Sequence, residues 1–203
     1  MRATLPHTTD FMRPRTLGLT AILRTTAALA ATLLLAACSQ PPVNRDAAQP
    51  LSTVQSVDLQ RYLGRWYEVA RFPNQFEVDC VGVTATYSLN PDGTIKVVNR
   101  CRKGKLDGPE DVAEGTATVV DATSNAKLSV TFFWPFAGDY WVLDLADDYS
   151  WALVGEPSGR YLWILARTPE IPAETRTQLV AKLAAMGYRT HALYWTPQPP
   201  ASP

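Results

Sequence analysis

The chain has 203 residues, 46% of them hydrophobic, with 19 basic and 19 acidic side chains, three cysteines and two histidines. Balanced charge without a basic block argues against a nucleic-acid partner. Of the two histidines, only His191 lies beyond the first 37 residues, and a single histidine there excludes a multi-histidine metal centre and disfavours a Ser-His-Asp triad.

At the N-terminus, Arg24 precedes an apolar run, 25–34, that leads into Leu35-Ala36-Ala37-Cys38. A basic leader, a short apolar core and small residues before a cut describe a secretory signal, too short for a comfortable membrane span. Met12 serves as well as Met1 for a start, because Met12-Arg13-Pro14-Arg15 is itself a basic leader. The four residues ending in Cys38 resemble a bacterial lipobox, which implies that 1–37 are removed and that the Cys38 thiol carries a diacylglycerol (palmitate-type) lipid anchor. Ser39 behind the cysteine resembles lipoproteins sent to the outer membrane. Four of the 19 basic and one of the 19 acidic residues leave with the leader, so 15 and 18 remain, a mildly acidic chain. Residues 38–57, rich in Pro, Gln, Ser and Ala, read as a lipidated N-terminus and flexible tether, 58–196 as one folded domain and 197–203 as a disordered tail.

With Cys38 spent on lipid, Cys80 and Cys101 remain as an even pair in an exported chain, which favours a disulfide. They flank two strand-like segments, 81–89 and 94–100, joined by the turn Asn90-Pro91-Asp92-Gly93. If those four residues form the loop, Leu89 pairs with Thr94 and the cysteines are diagonal neighbours, bridged if a bulge or a slight register shift brings them together. Further alternating segments at 65–72, 112–120, 127–133, 139–145, 149–155 and 161–167 complete eight candidate strands. One stretch has helical spacing: Leu179, Leu183 and Met186 share a face, with Pro172 in the first turn and Gly187 to stop it. A short strand at 192–196 follows. Eight sequential antiparallel strands and one late helix fit an all-β, up-and-down barrel with the helix packed outside, roomy enough for one small ligand.

Gly64-Arg65-Trp66-Tyr67-Glu68, Asp147-Asp148-Tyr149 and 161–167, ending in Arg167, resemble the three signatures of lipocalins in order and spacing. Asp147 stands where Thr is usual. Together with 83–89 and Arg167-Thr168-Pro169, the pattern is similar to the bacterial lipocalin subgroup related to apolipoprotein D. The resemblance implies that Trp66 plugs the closed end under Arg167, with Gly64, as fold residues rather than ligand contacts.

Ligand contacts are then expected on inward faces. On a period of two these are Glu68 and Ala70 beside Trp66, then Val83, Ala85 and Tyr87, then Ile95, Val97 and Asn99, then Tyr140 and Val142. The inward face of 139–145 and 161–167 stays open, since both sides are apolar. Glu68 is expected in the cavity with a raised pKa, or in a salt bridge, or at the rim.

In lipocalins the loops after the odd-numbered strands surround the mouth, which implies that Phe76, Arg102, Trp134 and Phe136 gather there. Aromatic rings beside Arg102, Lys103 and Lys105 suit an anionic membrane surface, with the tether leaving at the closed end; the other reading is that Trp134 and Phe136 fold back as a cap. The resemblance implies a lipid-anchored carrier of fatty acids, lysophospholipids or similar amphiphiles, not an enzyme, serving envelope maintenance under stress. It calls for no cofactor and no metal, and a monomer or a homodimer is compatible with it. A lipocalin-fold enzyme acting on a lipid and a ligand-free envelope scaffold are the alternatives.

Overall fold

The computed structural model describes residues 41–200, so the leader and Cys38 lie outside the described residues. Eight antiparallel strands run in sequence: β1 Gly64–Arg71, β2 Cys80–Leu89, β3 Ile95–Lys103, β4 Glu110–Val119, β5 Lys127–Phe133, β6 Phe136–Leu145, β7 Trp151–Gly155 and β8 Leu162–Ala166. Each pairs with the next, and β1 pairs with both β2 and β8, so the sheet closes into a barrel. A short β9, Tyr194–Trp195, adds to the upper part of β1 where β2 has diverged.

The barrel separates two apolar layers. Trp66, Tyr87, Ile95, Val97, Leu128, Val142 and Leu165 fill the inside. Outside, helix α2, Ala173–Ala185, lays Leu179 and Leu183 against Phe72, Leu153, Leu162 and Ile164. Pro172 occupies its N-cap, and Gly187, at φ +85°, ends it. A second helix, α1 Leu59–Tyr62, was not legible as a period because it is a single turn. The Asp58 side chain caps it by accepting from the Gln60 and Arg61 amides.

Three expectations need correction. First, the β2–β3 loop takes in Thr94, so Leu89 pairs with Ile95. A bulge at Gly82 and Val83 then moves Cys80 opposite Lys103, and the disulfide to Cys101 closes diagonally across a Cα separation of 5.4 Å. Second, a bulge between Glu68 and Ala70 reverses the alternation, so Ala70 faces α2 rather than the cavity and Arg71 turns inward beside Trp163. Val83 lies in the β2 bulge and packs against the Cys80–Cys101 disulfide.

Third, the described part of the expected tether and of the expected tail is ordered against the barrel. Arg45 is buried, forms a bridge with Tyr188, and donates through Nε to the Met186 carbonyl at 3.1 Å. Val54 and Val57 donate backbone bonds to the Val142 and Ser124 carbonyls. At the other terminus, Gln198 Nε2 spans the diverging strands by donating to the Glu68 and Val83 carbonyls at 2.8 and 2.9 Å.

Candidate functional site

The closed end is sealed by the signature residues. The Arg167 guanidinium lies 3.8 Å from the Trp66 ring centroid and donates to the Arg65 and Arg61 carbonyls at 2.8 and 2.6 Å. The Trp66 indole donates to the Tyr62 carbonyl at 2.8 Å. Gly64 has φ +90°, a conformation a side chain would strain, and an added Cβ would approach Arg167. Tyr149 and Arg61 tie the β6–β7 turn to the same end, with Arg61 4.0 Å from the Tyr149 centroid and the Asp58 amide donating to the Tyr149 hydroxyl.

Above this plug the interior widens. Along the inner face of β4, Ala117 is buried, Gly115 half-buried and Ala113 exposed, so solvent enters from the far end and stops midway. On β6 the same gradient runs from buried Val142 through half-buried Tyr140 to exposed Gly138. The barrel is therefore a cup. Its closed half is nearly filled, leaving a void of about 10 Å³ among Val57, Tyr62, Tyr87, Leu128, Tyr140 and Val142, about one water position. Of the expected contacts, Tyr87, Ile95, Val97 and Val142 form the packed floor, while Ala85, Asn99 and Tyr140 line the part that opens.

Three phenols meet at that level. The Tyr140 hydroxyl bonds those of Tyr62 and Tyr87 at 2.8 and 3.0 Å. Burial holds Tyr62 and Tyr140 well above the ordinary value of 10.0 and pushes Tyr87 up to about 12. They offer hydrogen bonds at neutral pH, not general-base chemistry. Tyr62 lies before the first strand, and nothing in its local sequence points inward.

A second polar group sits in the wall where β1, β9 and the β1–β2 loop meet. Glu68 is 2% exposed, accepts from Arg71 Nη1 at 2.6 Å and from the Thr196 hydroxyl, and lies near Glu77, whose carboxylate is 3.6 Å from Arg71 Nε. Burial, and next the Glu77 charge, raise the Glu68 pKa well above 4.5, against the pull of Arg71. Both the cavity and the salt-bridge expectations for Glu68 thus hold in part: it faces inward, held by a partner. The partners lie across the bulge and at the C-terminus, beyond any local pattern.

Phe76 and Trp134 lie in the β1–β2 and β5–β6 loops at the open end, and Arg102 and Phe136 lie in the ends of β3 and β6 that border the open-end loops. The Phe76 ring stacks 6.0 Å from Tyr161, joining the loops after β1 and β7. Trp134 and Phe136 are 88% and 77% exposed, so they do not fold back as a cap. The basic residues are paired with carboxylates: Arg102 with Glu110 at 3.6 Å, Lys103 with Asp111 at 3.1 Å and Lys105 with Asp107 at 3.3 Å. Cys80, Cys101 and Asp111 form the one candidate metal cluster among the described residues, and its two sulfurs are bonded to each other.

A lipocalin-like domain family matches residues 57–198, nearly the whole barrel with its helix. The chain belongs to the lipocalin family. This lipocalin is 42% identical over 182 residues to the outer membrane lipoprotein Blc of Citrobacter freundii, covering 89% of the chain and 99% of that protein. It is 43% identical over 162 residues to temperature-induced lipocalin-1 of Arabidopsis thaliana, covering 75% and 86%. Bovine apolipoprotein D (Bos taurus) is 36% identical over 154 residues, covering 71% and 74%. Among solved structures, insecticyanin from the tobacco hornworm Manduca sexta superposes with a TM-score of 0.60 over 74% of this chain and 86% of its own, at 19% identity, a likeness of fold alone.

Proposed function

We propose that this lipocalin is an outer-membrane lipoprotein, acylated at Cys38, that binds and carries a single-chain amphiphile in the open half of its cup. The observation that carries this reading is the gradient on β4 and β6: an apolar floor, closed by Trp66 and Arg167, beneath a wall that solvent reaches. Such a cup buries an acyl chain and leaves a headgroup at the rim. The name of the Blc relatives supports the location. We infer that a lipid carrier held at that membrane serves envelope maintenance under stress.

Within the amphiphiles, charge gives the preference. Glu68 and Glu77 share one guanidinium, and the Asn99 Oδ1 on the inner face has no donor. The wall therefore suits a zwitterionic, hydroxyl-bearing lysophospholipid better than a free carboxylate. Displacement of a fluorescent fatty acid by a panel of amphiphiles tests this, with lysophosphatidylcholine expected to displace more strongly than palmitate. Native mass spectrometry of detergent-free protein adds a direct test, with a retained acyl lipid expected. No displacement and no retained lipid would favour the scaffold reading.

A further inference from the structure

Ten large apolar side chains are exposed among the described residues, and six of them, Phe76, Val78, Leu106, Phe133, Trp134 and Phe136, lie in or beside the loops of the open end. Their concentration at one end marks a contact surface. Three of them belong to one hairpin tip, Phe133-Trp134-Pro135-Phe136, with Phe133 at 72% exposure. The tip protrudes and carries no charge, which fits insertion into a bilayer interface, where Trp is favoured, better than a flat protein contact.

The N-terminal strap leads to the same end. From Val57 at the closed end, residues 41–57 climb the outer wall past Tyr188, and the Asn44 amide donates to the Gly159 carbonyl at 2.9 Å. Arg160 Nη1 then donates to the Pro41 carbonyl at 2.8 Å. Gly159 has φ +71°, and a Cβ there would collide with Arg45, so this glycine lets the strap lie against the loop. Gly159 and Arg160 belong to the β7–β8 loop, which is at the mouth. The fold thus delivers its N-terminal chain to the open end, not the closed end expected from the sequence, and Pro41 is three residues from Cys38. Three extended residues reach at most about 11 Å.

We propose that the acyl anchor holds the mouth of the barrel against the bilayer, with Phe133, Trp134 and Phe136 inserted at the interface, so that the cup loads and unloads from the membrane that anchors it. This rests on the reading of Cys38 as acylated. The surface is a zwitterionic lipid headgroup layer, because the mouth loops 72–79, 102–111, 134–138 and 156–161 carry four basic and six acidic residues. The anionic attraction expected from Arg102, Lys103 and Lys105 is cancelled by their carboxylate partners.

The test uses the full-length lipoprotein, purified from membranes and reconstituted into phosphatidylcholine vesicles with or without acyl chains brominated near the headgroup. The mass of its N-terminal peptide is read first. A missing diacylglycerol overturns the Cys38 reading and the strap with it. On acylated protein, bromolipid quenching of tryptophan fluorescence is expected, unchanged in 0.5 M salt, and lost several-fold in Trp134→Ser/Phe136→Ser, which stays vesicle-bound through its anchor. A 20-residue Gly-Ser insertion between Gln40 and Pro41 is expected to reduce quenching, since the mouth is then free to turn away. Acylated parent protein quenched no more than the tip variant, or quenching untouched by the insertion, would overturn the orientation. Loss of a dimer in the tip variant without a change in quenching would assign the rings to a second copy and also overturn it.

Discussion

The Arg167 guanidinium lies over the Trp66 indole, 3.8 Å from its centroid, and binds the end of the last barrel strand to the first. Its two other contacts are carbonyls of residues 61 and 65, so it fastens α1 as well. Trp66 is fully buried and forms the floor, with no face toward the open half of the cup. Trp66→Ala should cost about 3–5 kcal/mol. Arg167→Ala, removing a cation–π contact and two hydrogen bonds at a part-exposed site, should cost about 1–3 kcal/mol. Chemical denaturation measures both, and the expected signature is lost stability with ligand affinity of the folded fraction retained. Unchanged stability with lost affinity would make Trp66 a pocket residue.

Cys38→Ser should release the protein in soluble form while Cys80 and Cys101 remain bridged. Fractionation and thiol titration check the two halves separately. Replacing both bridge cysteines with Ala should cost about 3 kcal/mol by freeing a loop of this size in the unfolded chain.

Much of the fold was legible because a barrel is written in local alternation. The Lys127–Phe133 strand falls where its pattern puts it, and the other seven are offset at one or both ends by a few residues. Ala70 was misplaced because the bulge after Glu68 inserts one residue, and a single insertion exchanges inside for outside along the rest of β1. The strap was misread because its composition is that of a linker. Its order comes from a few anchors, Arg45 on Tyr188 and Val57 in the core, whose partners lie some 70 to 140 residues away. Alternation sets Ala85 and Tyr87 on one face of β2, and Ile95, Val97 and Asn99 on one face of β3, but how much of that wall is floor depends on the closing plug. Tyr62 and Val57, which fill the lower cup, come from outside the strands altogether.

Glu68 gives the fold a pH dependence of definite sign. Its folded pKa is raised above the unfolded value, so its contribution is fully present below the ordinary carboxylate range and is lost as pH rises through the folded value. Glu77 remains to face Arg71 when Glu68 is protonated. Glu68→Gln should therefore be at least as stable as the parent at pH 8 and should flatten the thermal midpoint between pH 5 and pH 8. Arg71→Met, which strands two acids against each other in the wall, should cost about 3–5 kcal/mol. A steeper pH dependence in Glu68→Gln would show that the carboxylate form stabilises the fold.

The tyrosine trio makes an ordering prediction. Tyr140 is the shared partner of Tyr62 and Tyr87, so Tyr140→Phe leaves two buried hydroxyls without the bonds they make now. Each such group costs about 1–3 kcal/mol. Tyr62→Phe or Tyr87→Phe removes one bond and leaves the other pair intact. Stability should therefore fall most for Tyr140→Phe and by less, and about equally, for the other two. A double variant, Tyr62→Phe/Tyr87→Phe, leaves Tyr140 as a single hydroxyl at the level where the cup opens, and should fall below either single change. Equal losses for all three single variants would mean that water entering from the mouth replaces the missing bonds, and would place the wet boundary of the cup below Tyr140.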